Sequence, residues 1–577
     1  MQAPHATLNV ETGQYSAAGA KPDNQDFHGL LVPAGQALVH KGIAVAIADG
    51  ISSSPLARVA AETAVKSFLT DYYCTSDAWS VKTAASRVIR ATNSWLFSQT
   101  RQALTPDRGH VCTFSALVLK GREAHLFNAG DSRIWRLSGH GLEQLTQDHT
   151  VQVSSGETVL GRALGLAAMV EFDYRAEDLK TGDIFVLTTD GIHEVLSPGT
   201  IAGAITGAST LNAAAEAIGL LALEAGSTDN LTVQIVRVAG LPDADAAGML
   251  AEEENLPPAS LPHVPGYFEG FRLLRSLHAS SRSHIYLAQD EACGALVVLK
   301  LPSMDLRGDE DYLRRFALEE WIARRMSSPH VLKAAELPQD RQSLFVATEY
   351  VEGQTLRQWM LDNPHPDLET VRGLLEQIAR GLRAFHRQEM VHQDLRPENI
   401  MIDTAGTVKI IDFGSVRIAG VMEAAPALDR AEILGTHQYT APELFLGYLG
   451  TRRSDLFSLG VIAYEMLTGK LPYGAGVARA TSEKAQARLR YRSAAALTGR
   501  VPDWVDHALC RAVSPAPGKR YEAMSAFLED LRRPNPAFRS EEFVPLAERD
   551  PVRFWQTVSV LLAVLCAALF IQLFSNP

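Results

Sequence analysis

Three acidic pairs stand at the ends of apolar runs in the first half of the chain. Asp49 and Gly50 close "VAIADG", Asp190 and Gly191 close "LTTDG", and Asp229 with Asn230 precedes "LTVQIV". The runs read as strands, and strand ends are rigid places from which to aim a carboxylate. One Asp-Gly pair alone is ordinarily a turn. Several carboxylates held this way can bind hard divalent cations such as Mg²⁺ and Mn²⁺, which take oxygen ligands and keep part of their water. Two such ions about 3.5 to 4 Å apart can generate hydroxide and clamp a phosphoryl group for in-line attack. In the second half, "MVHQDLRPENIMI" separates Asp394 from Asn399 by four residues, a second place where acid and amide could act together.

The first set does not stand alone. "KPDNQD" (Lys21 to Asp26), "ADG", "GDSR" (Gly130 to Arg133), "QDHT" (Gln147 to Thr150), "TTDG" and "TDNLT" follow one another in an order that resembles the PPM family of metal-dependent Ser/Thr protein phosphatases. The resemblance covers about residues 10 to 238. It implies an α+β sandwich whose sheets are flanked by helices, with two metal ions, Mn²⁺ or Mg²⁺, at one edge. Asp49 would bridge the ions with the Gly50 carbonyl on one of them. Asp190 and Asp229 would bind the other, Asp26 would hold a metal-bound water, and Asp131 would help form a third metal position. Asn230 would support its neighbour. Lys21 stands where the family usually has an arginine for the substrate phosphate, keeping the charge but not the bidentate fork. Gln25 replaces a frequent Glu, and "DGISSSP" replaces a Gly-rich stretch.

From about Gly270 the spacing resembles eukaryotic-like Ser/Thr protein kinases, which implies a bilobal α+β fold that binds ATP and Mg²⁺. Lys300, ending "VVLK", would hold the α- and β-phosphates, with Glu319 as its ion-pair partner and Glu320 as the rival candidate. "ATEYVEG" would be the hinge that receives adenine, with Thr348 guarding the inner pocket and Glu349 to Val351 offering backbone groups. Asp394 would orient the substrate hydroxyl, Asn399 would bind Mg²⁺, and Asp412 of "IIDFG" would hold the metal bridging the phosphates. "GTHQYTAPE" and "SDLFSLG" resemble the substrate-docking and scaffold segments, with Glu443 and Arg520 as a buried pair. The phosphate-covering loop is "HASSRS", without glycine, so Ser280 and Ser283 would have to serve where backbone amides normally approach phosphate. His392-Gln393-Asp394 lacks the arginine that pairs with a phosphorylated activation loop. Between Val416 and Gly435 there is no Ser, Thr or Tyr to phosphorylate, which leaves Ser415, Thr436, Tyr439 and Thr440 as the candidates. Arg396 replaces a lysine that steadies the transferred phosphate.

A chain of 577 residues exceeds one hydrophobic core. Its apolar fraction of 46% and charged fraction of 21% are those of a folded protein, and a net charge of -12 opposes nucleic-acid binding by bulk electrostatics. Five scattered cysteines without a CxxC pair suit a reducing compartment, and no leader-like segment opens the chain. Strands are expected over 42–48, 113–119, 123–128, 183–188 and 231–238, and helices over 60–69 and 84–97. The expected organisation is a phosphatase-type domain over 1–238, a Pro-rich acidic linker over 239–268, a kinase-type domain over 269–533, a juxtamembrane linker over 534–553 and a C-terminal transmembrane anchor over 554–577. That last stretch has no charged residue, and Arg549 and Arg553 before it would keep the catalytic parts on the cytoplasmic side of a bacterial-type inner membrane. An amphipathic or buried terminal helix is the alternative. Together the parts imply a bifunctional kinase and phosphatase acting on shared or neighbouring proteins, itself included. A phosphatase governed by a nucleotide-sensing pseudokinase is the rival reading, and a catalytically decayed scaffold a third.

Overall fold

The computed structural model describes residues 7–101, 109–139, 141–152, 158–242, 256–338, 340–424, 438–536 and 551–574. Residues 243–255 of the linker expected over 239–268, the centre of the activation segment and most of the juxtamembrane stretch lie outside them.

Alternation of side chains sets the layers of the first half. Ile43, Val45, Ile47, Leu117, Leu119 and Leu126 pack with Ile134, Phe185, Leu187, Val236 and Val238 in one cluster. The intervening Ala44, Ala46, Ala48, Ala116, Val118 and Phe127 pack instead under the helices Ala57–Asp71 and Val81–Thr100. Buried on both faces, these central strands read as continuous apolar runs, which is why sequence finds them. Two five-stranded antiparallel sheets result. One runs Asn9–Ala17, Leu231–Gly240, Ile184–Thr188, Arg133–Ser138, Gly141–Gln144; the other runs Asp173–Asp178, Glu123–Ala129, Phe114–Lys120, Ile43–Asp49, Asp26–Leu31. Helices Pro198–Gly207 and Leu211–Glu224 cover the outer face of the first sheet through Ile201, Ile205, Ala214 and Ile218. The sandwich is therefore helix, sheet, sheet, helix.

The second half begins with a five-stranded antiparallel sheet, Gly266–Phe268, Phe271–Ala279, Ser283–Asp290, Leu296–Pro302 and Val346–Glu349, which carries the helix Glu310–Arg325. A helical lobe follows. Its helix Leu368–Arg387 buries Val371, Leu374, Leu375, Ile378, Leu382 and Phe385, a stripe at helical spacing, and Asp367 caps its first turn by accepting from the Thr370 amide. Helix Arg452–Thr468 is buried nearly throughout, starts in a capping box between Thr451 and Ser454, and stops at Gly469 in a left-handed conformation.

The C-terminal segment does form a helix, Pro551–Phe574. The transmembrane anchor expected there is nevertheless not supported: among the described residues no helix is long and apolar enough to cross a membrane.

Arg520 and Glu443 form the expected pair, with two bonds of 2.7 Å and side chains 0% and 7% exposed. Losing one partner strands the other charge in the core, at a cost of about 3–5 kcal/mol. Arg520→Ala is expected to lower the stability of the second half by that amount in urea titrations of the full chain, while Arg237→Ala, at an exposed pair with Glu11, leaves it within about 1 kcal/mol.

Candidate active sites

Antiparallel pairing places Asp26 directly opposite Asp49, so both carboxyls emerge on one face at the same end of the sheet. The other sheet brings Thr189, just past Ile184–Thr188, whose hydroxyl donates to Asp26 Oδ2 at 2.9 Å. Asp190 opens the next short helix and accepts from the Gly191 amide at 2.7 Å. A Cβ on Gly191 would lie 2.1 Å from the Asn230 carbonyl oxygen; only glycine lets the Asp190 turn rest against Asp229 and Asn230. Asn230 in turn stitches down the loop that carries Lys21. Its amide donates to the carbonyls of Ala18 and Asp23, both at 2.9 Å, and its Oδ1 accepts from the Gln25 amide. Gly50 follows Asp49 and donates its N–H to the Gln25 carbonyl.

The electrostatics are those of crowded acids. Burial raises the Asp49 carboxyl well above the usual range, and Asp26 and Asp190 raise it further. Burial also raises Asp26. Asp190 is pushed to about 7 by burial and then by Asp229, Asp131 and Asp26, and Asp131 to about 6 by burial and then Asp148 and Glu194. Asp26 Oδ1 is buried without a hydrogen-bond partner among the described residues. An orphaned buried oxygen amid repelling carboxyls is what a hard divalent ion would relieve, so the donor set fits Mn²⁺ or Mg²⁺. It is not a finished cage: among the described residues no three His, Cys, Asp or Glu side chains already surround one point. Asp229 is engaged in an ion pair with Lys21, which also donates to Ser52 Oγ at 2.7 Å. The expected phosphate ligand and an expected metal ligand thus hold each other.

In the second half the Lys300 ammonium bonds Glu319 at 2.6 Å and lies 3.6 Å from Asp412. Burial opposes its charge, but Asp412 and Glu319 outweigh burial and hold it protonated, and Lys300 holds Asp412 below the usual range. The rival Glu320 faces away, bound to Arg324 and Arg341 at 2.7 Å each. Asn399 donates to the Asp394 carbonyl at 2.9 Å and to its Oδ2 at 3.1 Å, and burial, then Asp412, raises Asp394 to about 7. Arg396 bonds Glu398 at 2.9 Å.

Thr348 is buried on the last strand of the small sheet. The Glu349 carboxylate accepts from Lys409 at 2.6 Å and from the Lys333 amide, and Val351 lies buried just beyond. Ser280 and Ser283 form a self-contained turn: the Ser280 amide donates to the Ser283 carbonyl at 3.0 Å, and the Ser283 amide to Ser280 Oγ at 3.1 Å. Both amides expected to approach phosphate are engaged within the turn.

With both sites described, comparison with known proteins is direct. Residues 14–217 match the family Protein phosphatase 2C and residues 273–540 match the family Protein kinase domain. The chain joins a protein phosphatase 2C domain to a protein kinase domain. The kinase domain is similar to the serine/threonine-protein kinase PrkC of Bacillus subtilis, 28% identical over 272 residues, 47% of this chain and 41% of that protein. It is also similar to PknL of Mycobacterium tuberculosis, 33% identical over 252 residues, 43% of this chain and 62% of that protein. The chain therefore spans less than two thirds of the length of these relatives. Solved structures similar to the phosphatase domain include PppA of Pseudomonas aeruginosa, 22% identical with a TM-score of 0.35, covering 40% of this chain and 99% of that one. Another is the catalytic domain of PstP in complex with two manganese ions, 26% identical with a TM-score of 0.34, covering 40% and 99%.

Two sets of positioning residues escape a reading of the sequence. In the phosphatase domain Arg133 grips Asp148 through two bonds, 2.9 and 2.6 Å, and the Gly130 amide donates to His149 Nδ1 at 3.2 Å. These tie the loop bearing Asp131 to "QDHT". In the kinase domain the buried Asp455 accepts from the amides of His392 and Gln393 at 3.0 and 2.9 Å and bonds His386 at 2.7 Å, which holds the catalytic loop while Gln393 adopts a φ of 64°. Both lie within motifs that the sequence singles out, Arg133 in "GDSR", Asp148 in "QDHT" and Asp455 in "SDLFSLG", but nothing in those motifs names the partner.

Divalent ions should stabilise the phosphatase domain by neutralising its acids. At about 100 times the dissociation constant a bound ion contributes about 2.7 kcal/mol, visible as a higher melting temperature with Mn²⁺. Asp190→Asn should raise the melting temperature in chelator, because it relieves repulsion, and should shrink the Mn²⁺ increment. A full increment in this variant would exclude Asp190 as a ligand.

Proposed function

We propose that the chain is a bifunctional enzyme, a metal-dependent protein Ser/Thr phosphatase and an ATP-dependent protein Ser/Thr kinase, acting on shared or neighbouring proteins and on itself. The observation that carries it is the presence of both charge constellations in one polypeptide: Asp26, Asp49 and Asp190 in mutual repulsion, and Lys300 held between Glu319 and Asp412.

In the phosphatase domain Asp49, Asp190, Asp229 and the Gly50 carbonyl would hold two Mn²⁺ or Mg²⁺ ions, with Asp131 toward a third. Such ions supply a water activated as a nucleophile and a positive clamp on phosphate. Lys21, freed from Asp229 when that carboxylate turns to metal, is the cation nearest to hand for a substrate phosphate. Asp26 would orient water through its unpartnered oxygen.

In the kinase domain Lys300 presents a fixed ammonium for the ATP phosphates, and Asp412 and Asn399 would take Mg²⁺. Asp394, kept near neutrality in its proton affinity by burial, accepts the substrate hydroxyl proton. Arg396 offers charge to the transferred phosphate from its place beside Glu398, and adenine would lie along Glu349 to Val351. A second reading, a nucleotide-sensing pseudokinase that governs the phosphatase, draws support from the Ser280–Ser283 turn, whose amides donate to the Ser283 carbonyl and the Ser280 hydroxyl within the turn.

We further propose attachment to the inner face of a bacterial cytoplasmic membrane, supported by the uncharged stretch 554–577. Co-sedimentation of the full chain with vesicles, lost on truncation at 550, is the expected result.

Labelled ATP separates the two readings. Wild type should transfer phosphate to a test protein, and Asp394→Asn should cut the rate by about 10²–10⁴-fold. With Mn²⁺, Asp190→Ala should retain more self-phosphate than wild type. Transfer unchanged by both Lys300→Ala and Asp394→Asn would favour the pseudokinase.

A further inference from the structure

The two domains share a seam, and it runs through the parts of a kinase that switch. On the phosphatase side lies the segment 76–83, which leads into helix Val81–Thr100. On the kinase side lie the turn before the catalytic loop, the opening of the activation segment, and the end of helix Glu310–Arg325. Ser76 Oγ donates to Gln388 Oε1 at 2.7 Å, and the Trp79 indole donates to the Arg387 carbonyl at 3.0 Å. The Glu389 carboxylate accepts from the Ser80 amide and hydroxyl, both at 2.8 Å, and from the Thr83 hydroxyl at 2.7 Å. Glu423 accepts from the Val81 amide at 2.9 Å. Two kinase carboxylates thus satisfy amides at the N-terminus of a 20-residue phosphatase helix, where negative charge is favoured.

Lys120 shows that the seam is built. Its side chain is 0% exposed, and among the described residues its hydrogen-bond acceptors are both kinase atoms, the Gly420 carbonyl at 2.7 Å and Glu423 at 3.2 Å. A buried ammonium is tolerated only when paired. The Gly420 amide donates in return to the Ala78 carbonyl at 2.9 Å, and Ala78 packs within the kinase core. Asp77 lies 3.4 Å from Arg325, and His40 packs beside Trp321, both on the helix that carries Glu319.

These contacts stand where a kinase of this kind lacks its usual device. Gln393 replaces the arginine that would grip a phosphorylated loop, and the stretch between Val416 and Gly435 offers no hydroxyl. Yet 417–424 is ordered: Arg417–Ile418 pairs with Met390–Val391, and the Ala419 amide bonds the Glu389 carbonyl, whose own carboxylate reaches into the phosphatase domain. We propose that the phosphatase domain is the anchor of the kinase activation segment, so that docking of one domain on the other does the work that loop phosphorylation does elsewhere. This rests on the kinase reading given above.

Two substitutions in the full chain test it. Gly420→Val puts a side chain where a Cβ would already meet the Asp77 and Trp79 carbonyl oxygens at 2.6 and 2.7 Å. Thr83→Glu sets a carboxylate against Glu389, while an acidic residue at the third helical position suits the phosphatase helix itself. Both should speed amide hydrogen exchange in 417–424 and lower phosphate transfer by about 5- to 150-fold, the range of a coupling between two sites. Hydrolysis of p-nitrophenyl phosphate with Mn²⁺ should stay within about twofold, as a folded phosphatase domain requires. Faster exchange with transfer unchanged or increased overturns the proposal, as does exchange unchanged in both variants. A wild type that transfers no phosphate overturns the kinase reading instead, and exchange in 417–424 then still decides whether the anchor exists.

Discussion

Charge removed from water must find a counter-charge, and in this chain the counter-charge nearly always comes from far along the sequence. Lys300 meets Glu319 and Asp412, Glu443 meets Arg520, and Lys120 meets Glu423 across the domain boundary. Each pairing is a condition that only the complete fold meets, because an unpaired buried ion costs several kcal/mol. The phosphatase site inverts the rule. There the fold gathers Asp26, Asp49 and Asp190, whose burial and mutual repulsion hold their carboxyls above the usual range, while a lysine pairs with Asp229. A protein maintains such repulsion where something else arrives to relieve it.

The two sites are therefore poised in opposite ways. In the kinase site the cation already sits between two acids, with Lys300 bonded to Glu319 and 3.6 Å from Asp412. What departs from the usual design is above it, in a serine turn that bonds to itself. The phosphatase site has its acids in place, held by sheet pairing and by Asn230, with Asp229 paired to Lys21. The seam between the domains lies beside the phosphatase sheet: helix Val81–Thr100 packs beneath the sheet that ends in Asp49, and Glu389 and Glu423 accept from the amides at its N-terminus.

Much of the fold was legible because the central strands are buried on both faces. Ile43–Asp49, Phe114–Lys120, Glu123–Ala129, Ile184–Thr188 and Leu231–Gly240 all lie where apolar runs predict them, within a residue or two. Edge strands were not legible. Asn9–Ala17, Gly141–Gln144 and Asp173–Asp178 are largely exposed and polar, so neither hydrophobicity nor strict alternation marks them; they are strands because a neighbour offers them a hydrogen-bonding edge. Helices Pro198–Gly207 and Leu211–Glu224 were missed too, their alanine- and glycine-rich sequences carrying little contrast between faces. The apolar C-terminal stretch shows the reverse case, a strong local pattern whose expected membrane span the described helix does not support.

By itself the sequence determined the inventory: which acids end strands, which lysine ends one, and the order in which they come, since these follow from local pattern and spacing. Tertiary structure decided the partners. Glu319 and Glu320 are adjacent in sequence, yet a helix turns them about 100° apart, and only the packing of that helix gives Lys300 to one and two arginines to the other. Lys21 and Asp229, 208 residues apart, and the Lys120 that crosses to a different domain carry no mark of one another. Local sequence encodes local geometry, whereas the pairing of distant charges is chosen by the fold as a whole.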